Sequence, residues 1–316
     1  MRQFLWEFVR RRGLRRWLRR LWGVSEMTRI TDRVGLGWRP KLAAGILSNL
    51  DRIDIVEVIA DDFFDAPRRE RRALRTLAAQ TGVSLHGVSL GMASSVPVEP
   101  KRLDQMARLC AEVTPVSWSE HLAFVRGGGV EIGHLAAPPR TAATIDGALA
   151  NLARAQTIIG VAPQVENVAT LIDPPGSDCD EAAWVCDIVR GSNCDLLLDL
   201  HNLYANAINF SFDPVDFIAR IPAERIASIH LAGGKWISAH GTRRLLDDHL
   251  HDVPEPVYEL LAETAARATR SLTVILERDG DFPDISCLLQ QLDRARQALA
   301  HGRARQVNES EEEAAA

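Results

Sequence analysis

The chain has little cysteine, no long apolar run and no glycine-rich phosphate loop, and each shortage removes a class of protein. Its cysteines, Cys110, Cys179, Cys186, Cys194 and Cys287, are odd in number and form no Cys-x-x-Cys pair. Neither a disulfide framework nor a zinc knuckle is suggested, and the expected compartment is a reducing cytoplasm. No apolar stretch approaches the roughly 20 residues of a transmembrane helix. No Gly-x-Gly-x-x-Gly follows the first strand-like run, which argues against an open dinucleotide-binding sheet. A net charge of −5 hides an asymmetry: Met1–Trp22 carries +7, which leaves −12 for the remainder. A body this acidic is not a general nucleic-acid binder.

The basic residues 1–28 form an extension of their own. Leu14, Trp17, Leu18, Leu21 and Trp22 share one helical face, with Arg15, Arg16, Arg19 and Arg20 between them. That pattern can seat a helix on an anionic membrane or an acidic partner. The plainer readings are a solvated extension or a start codon placed upstream of Met27. At the other end, residues 301–316 with their Glu-Ser-Glu-Glu-Glu run are expected to be a disordered acidic tail.

Between them, residues 29–300 read as one domain. Strand-like runs fall at Val34–Trp38, Ile53–Ile59, Val83–Leu90, Val116–Phe124, Gln164–Val168, Asp195–Leu200, Ile226–Leu231 and Leu272–Leu276. Most are continuously apolar, as parallel strands buried on both faces must be. Helical stretches alternate with them: Pro67–Gln80, Pro100–Val113, Thr141–Ile159, Glu181–Val189, Pro256–Thr269 and Ile285–Leu299. Repeated βα units of this kind predict an α/β fold, a closed (β/α)₈ TIM barrel. Gly127–Gly129 followed by Val130–Leu135 predicts a hairpin inserted after the fourth strand.

The strand runs change from apolar to ionisable at their C-terminal ends. His86 ends the third, Glu120 and His121 the fourth, Glu166 and Asn167 the fifth, Asp199 with His201 and Asn202 the sixth, His230 the seventh, and Glu277 the eighth. Asp247, Asp248 and His249 lie between the last two. Any one of these could be an ordinary hydrogen-bonded core residue. Together, carboxylates converging on one barrel mouth would repel without compensating cations. Metal ions supply that compensation, and histidine with carboxylate suits Fe, Mn, Zn or Co rather than an iron–sulfur cluster. The number of donors implies two or three ions. Glu166 or Glu277 could bridge two of them, and His86, His121, His230 and His249 can each give one nitrogen.

The chain resembles the DUF692 family, the multinuclear non-haem iron-dependent oxidative enzymes. The segments that carry the likeness are Gly35-Leu-Gly-Trp-Arg-Pro, Ile55-Val-Glu-Val, Leu85-His-Gly-Val-Ser-Leu, Ser119-Glu-His-Leu-Ala, Val165-Glu-Asn, Leu196-Leu-Leu-Asp-Leu-His-Asn-Leu-Tyr, Ile229-His-Leu-Ala-Gly, Asp247-Asp-His and Leu276-Glu-Arg-Asp, in family order. The resemblance implies a xylose-isomerase-like barrel holding two or three irons that use dioxygen to oxidise a ribosomally made peptide, often at cysteine. Its iron ligands map onto His86, His121, Glu166, Asp199, His230, Asp247, His249 and Glu277, with Asn202 at a third iron. The implied partners are a cysteine-containing precursor peptide and a helper protein that presents its leader. Departures are Ile59-Ala-Asp-Asp where many members read His-Ser-Glu-Asn, Gly234 where many have His, and His201 where many have Asn.

Two other readings stand beside this one. The same donors resemble a zinc- or manganese-dependent hydrolase or isomerase of the endonuclease IV and xylose isomerase type, and a metal-binding or peptide-docking protein without catalysis would share them too. Several further residues are open between site and packing: Phe64, Trp118, Tyr204 and Trp236 as a peptide-groove lining or core; Glu57 as a hydrogen-bonding neighbour of the metal site or barrel-interior packing; Lys235 and Arg278 as contacts to substrate carboxylates or supports of Glu277, with an Asp279 ion pair as the plainer reading for Arg278; His134 and His240 as exposed loop histidines. The cysteines read as small core residues.

Overall fold

A computed structural model describes residues 31–239 and 241–315. The amphipathic face expected within residues 1–28 and His240 lie outside the described residues.

Twelve strands are present among these residues: β1 (Arg33–Gly37), β2 (Ile55–Ile59), β3 (Gly82–Gly87), β4 (Ser117–His121), β5 (Phe124–Gly127), β6 (Val130–Ala136), β7 (Gln164–Glu166), β8 (Asp195–Asp199), β9 (Ile226–Leu231), β10 (Gly234–Ala239), β11 (Thr242–Asp247) and β12 (Thr273–Leu276). Eight of them close a barrel in the order β1-β12-β9-β8-β7-β4-β3-β2, with β2 back on β1. All eight pairings are parallel. Every expected strand is there. β9 shows why the apolar runs were legible: all six of its residues are buried, between barrel interior and helix layer.

The strands end earlier than their apolar runs. Val116–Phe124 stops at His121, because Leu122 turns to bond the Glu166 carbonyl and Phe124 opens the expected hairpin. Gly128 and Gly129, at φ 57° and 81°, supply the left-handed turn that joins β5 to β6. A second hairpin, β10–β11, has no clear sequence signal. Its strands carry Lys235, Arg243 and Arg244 instead of an alternating apolar face.

Residues 301–315, whose composition suggests a disordered tail, are helical. The last helix runs Ile285–Ala315. Arg303 donates to Asp32 at 2.8 and 3.1 Å and to the carbonyls of Ala265 and Arg270 at 2.9 and 2.7 Å. Arg305 pairs with Glu263 at 2.9 Å. At Gly302 an added Cβ would lie 2.1 Å from the Ala262 carbonyl, so only glycine admits this approach. Docking through glycine and arginine leaves no apolar pattern to read. Among the described residues no helix is long and apolar enough to cross a membrane.

One helix organises the loops above the mouth. Asp199 caps helix Leu200–Phe210 by accepting from the Asn202 amide at 2.7 Å. Asn202, Asn206 and Asn209 then follow at helical spacing and share a face. Asn202 donates to the Asn167 carbonyl, Asn206 ties the Val168 carbonyl and Thr170 amide, and Asn209 ties both backbone groups of Leu245. Asn206 also donates to Glu181 at 3.0 Å. Burial pushes the Glu181 carboxyl up to about 7, against the opposing pull of Arg140. The folded chain therefore holds this proton where the unfolded chain has lost it. Stability falls as pH rises from the ordinary carboxylate value through about 7, by roughly 2–4 kcal/mol. Glu181→Gln should flatten that slope and stabilise the protein at pH 8; urea titrations at pH 5 and pH 8 check it, and an unchanged pH dependence contradicts it.

Candidate metal centre

The parallel register brings the C-terminal residues of the barrel strands to one mouth. His86 is paired in register with Ser119, His121 with Glu166, and Asp199 with His230. Three groups of side chains there have ligand atoms within 4.8 Å of one another: His86, His121 and Glu166; Glu166, Asp199, His230 and Glu277; and Glu57, His86 and His230. All are buried. Glu166 joins the first two groups. Its Oε2 lies 3.4 Å from His86 Nε2 and 3.3 Å from His121 Nε2, while its Oε1 lies 3.2 Å from His230 Nδ1. His230 Nδ1 also approaches Glu277 Oε2, at 3.1 Å.

Asp247, His249 and Asn202 stand beside these groups rather than within them. His249 Nε2 lies 2.9 Å from Asp247 Oδ2, and its Nδ1 lies 3.3 Å from Glu277 Oε2. His249 holds φ 55°, a region that side-chain-bearing residues rarely occupy outside functional sites and turns. With Asn202, His121 and Glu166, both line a cleft of about 420 Å³. Leu135 on β6, Val168, Leu171 and Ile172 on the following loop, and Leu245 on β11 make its apolar wall. Loops after β4, β7 and β11 thus enclose the mouth, as decorations on a barrel's C-terminal face do.

The polar atoms test the fit of a metal. Glu57 Oε1, Glu166 Oε2, Asp199 Oδ2, Asn202 Oδ1, His230 Nε2 and His249 Nε2 are buried with no hydrogen-bond partner. Glu57 Oε1 and His230 Nε2 are 2.8 Å apart without hydrogen-bond alignment. Orphaned buried atoms of this kind are rare and costly. Asn202 is informative, since its amide nitrogen is spent on Asn167 and its oxygen alone is left over. The donor set is nitrogen and oxygen throughout, which fits first-row metal ions.

The charges ask for a cation as well. Burial works against a charged His121, but Glu166, then Glu120 and Glu277, raise it to about 9. Burial likewise opposes charge on His230 and His249, and their carboxylate neighbours push both well up. Burial favours a neutral Glu277, yet His230 and His249 hold it well below the usual carboxylate range. Asp199 goes the other way: burial first, then Asp247 and Glu166, drive it well up. The cluster thus mixes imidazoliums held charged by carboxylates with a carboxylate whose burial and acidic neighbours outweigh the pull of His249 and His230.

Several other expectations resolve. Arg278 neither pairs with Asp279 nor orients Glu277; it donates to the Gly280 and Asp281 carbonyls and to Asp252. That place belongs to Arg39, of the Gly35-Leu-Gly-Trp-Arg-Pro segment. Its guanidinium bonds Asp279 at 2.9 and 2.5 Å and lies 3.8 Å from Glu277. Lys235 pairs with Asp248 at 3.3 Å. Trp118 is core, donating to the Val161 carbonyl, and Phe64 packs on the core. Tyr204 is half-buried with its ring 6.4 Å from that of His201, and Trp236 is exposed under Arg243. His134 is exposed and lines the cleft. Cys186 and Cys194 are buried, while Cys287 is exposed.

His201 and Gly234 depart from the pattern together, and they are in contact. His201 Nδ1 lies 2.5 Å from Asp247 Oδ1, so the imidazole fixes that carboxylate. A Cβ at Gly234 would come 2.6 Å from His201 Cε1 and 2.2 Å from the Leu246 carbonyl. The absence of a side chain at 234 makes room for the ring at 201. Gly234→Ala should therefore destabilise by about 1–3 kcal/mol through overpacking; a thermal melt checks it, and an unshifted midpoint would show that the ring is not confined.

A model of the family described as RiPP precursor modification enzyme MbnB/TglH/ChrH matches residues 33–300. A UPF0276 protein of Streptomyces avermitilis is 36% identical over 272 residues, which are 84% of this chain and 54% of that protein. The chain thus spans about half the length of that relative. A UPF0276 protein of Bordetella bronchiseptica is 32% identical over 271 residues, 85% of this chain and 93% of its own. Among solved structures, endonuclease IV from Thermus thermophilus superposes with a TM-score of 0.54 at 15% identity, over 84% of this chain and 99% of that one. At that identity the likeness is one of fold.

Proposed function

The chain belongs to the MbnB/TglH/ChrH family of RiPP precursor modification enzymes, and from that premise we propose that it is a multinuclear non-haem iron oxidase acting on a ribosomally synthesised peptide, with cysteine as the residue modified. The observation that carries this reading is Glu166. It is one buried carboxylate shared between two groups of nitrogen and oxygen donors, beneath a cleft with an apolar wall. A carboxylate in that position suits a bridge between two metal ions.

In this reading His86, His121 and Glu166 would hold one iron. Glu166, Asp199, His230 and Glu277 would hold a second, and Asn202, Asp247 and His249 would serve a third. Bound iron would supply the reduction of dioxygen and the oxidation of the substrate, which zinc cannot do. The chain's own residues bind and orient. The apolar wall from Leu135 to Leu245 takes the peptide flanking the reacting residue. Asn206 and Asn209 keep the loops of that wall in place. His201 orients Asp247, and Arg39 holds Asp279 beside Glu277. A helper protein presenting the leader and a cytoplasmic setting, with its ferrous iron and reduced thiols, complete the proposal.

The test is to load the protein with ferrous iron without oxygen, add a cysteine-bearing peptide encoded beside it, and admit oxygen. A mass change in the peptide that requires both iron and oxygen is expected. A bound-iron protein that leaves the peptide mass unaltered overturns the reading. Oxygen-independent cleavage or isomerisation with zinc or manganese would put the hydrolase and isomerase reading in its place.

A further inference from the structure

The outer wall of the barrel carries a second concave surface. A groove of about 940 Å³ lies between helix Ala43–Leu47 and helix Arg68–Ala78, against about 420 Å³ for the metal cleft. Trp38, Phe63, Leu74 and Leu77 line it, and Leu47 is 46% exposed on its edge. It starts at the catalytic end of the barrel, because Trp38 directly follows β1 and Phe63 lies in the short helix Asp61–Phe64 just after β2.

The edge of this groove is cationic where a helix least tolerates it. Arg68, Arg69, Arg71 and Arg72 occupy the first turns of helix Arg68–Ala78, at the positive end of its dipole. Arg71 and Arg75 are answered by Glu112, at 2.9 and 3.1 Å. Arg68, Arg69 and Arg72 are exposed and pair with no acidic group among the described residues. Arg69 and Arg72 border the groove, with Glu70 as the acid between them. Glu70 offsets part of this charge, and the groove edge keeps a net positive charge from Arg69 and Arg72.

We propose that the groove docks an acidic, amphipathic stretch of the peptide substrate, whose apolar side chains fill the trough while its carboxylates meet Arg69 and Arg72. This rests on the peptide-modifying reading. Charge complementarity selects the occupant. The chain's own residues 1–22, at +7, would be repelled. Docking beside β1 and β2 leaves the rest of the peptide free to cross the mouth to the cleft at β4, β7 and β11, so binding and chemistry stay on separate surfaces.

The probe is a fluorescein-labelled helical peptide of Leu and Glu, with Leu at spacings of three and four, added to the full-length protein and followed by anisotropy. Saturable binding is expected, weakened by salt and by at least about tenfold in Arg69→Glu/Arg72→Glu and in Leu47→Asp, with circular dichroism and metal content unchanged. Equal binding of a Leu/Lys peptide, or no loss in either variant, overturns the proposal. So does a sedimentation shift to monomer in Arg69→Glu/Arg72→Glu, which would make the occupant a second copy of the chain. Vesicles of anionic lipid bound through the same arginines, with the Leu/Glu peptide ignored, overturn it as well. The readout is independent of turnover: peptide held in the groove without oxidation would leave docking standing and remove the oxidase, and oxidation with the same KM in both variants would do the reverse.

Discussion

Replacing Glu166 by alanine should remove metal from two groups of ligands at once. No other side chain belongs to both the histidine pair His86 and His121 and the group Asp199, His230 and Glu277. Its two oxygens reach separate partners: Oε2 faces His86 and His121, and Oε1 faces His230. Loss of an outer-shell partner of a metal ligand lowers affinity or activity by about 10–100-fold, so loss of a shared ligand should exceed roughly 100-fold in peptide turnover. Metal content by mass spectrometry should fall together with activity. Full metal content with activity intact would show that Glu166 is only a hydrogen-bonded core acid. The substitution also removes the largest carboxylate influence on His121, which lowers that imidazole's proton affinity while Glu120 and Glu277 continue to raise it.

The second large effect runs in opposite directions for stability and function. Asp199 is buried, its Oδ2 lacks a partner, and burial with Asp247 and Glu166 disfavours its charge. Its Oδ1 caps helix Leu200–Phe210 through the Asn202 amide. Asparagine is an equally good cap. Asp199→Asn therefore keeps the helix start, drops the repelled charge and gives the site an amide that can donate to neighbouring carboxylates. The metal-free variant should melt above the metal-free parent, by about 2–4 °C for each kcal/mol relieved. Metal bound by the second group should decline and turnover should collapse. Such an exchange of stability for function is common where a site concentrates like charges. A lower melting temperature in the chelator-treated variant would contradict it.

How much of this was legible follows from the physics of each part. The eight barrel strands were readable because parallel strands covered on both faces are apolar without interruption, as β9 is. The strand-end donors were readable because Glu166 and Asp199 interrupt such runs where the barrel opens. Spacing could not say which donors meet. The sharing of Glu166 and the separate standing of Asp247, His249 and Asn202 depend on register and loop path. Arg39 escaped because its partner Asp279 is 240 residues away. The contact of His201 with Gly234 escaped because it pairs a side chain with the absence of one. The β10–β11 hairpin and the helical course of residues 301–315 escaped because arginine, asparagine and glycine hold them rather than an apolar face.

The most direct measurement of the central claim is a crystal structure of anaerobically iron-loaded protein, with anomalous scattering recorded at the iron edge. Separate iron peaks should lie at His86, His121 and Glu166 and at Glu166, Asp199, His230 and Glu277, with the Glu166 carboxylate between them. No peak at the mouth, or one ion that leaves Glu166 unligated, would contradict the account.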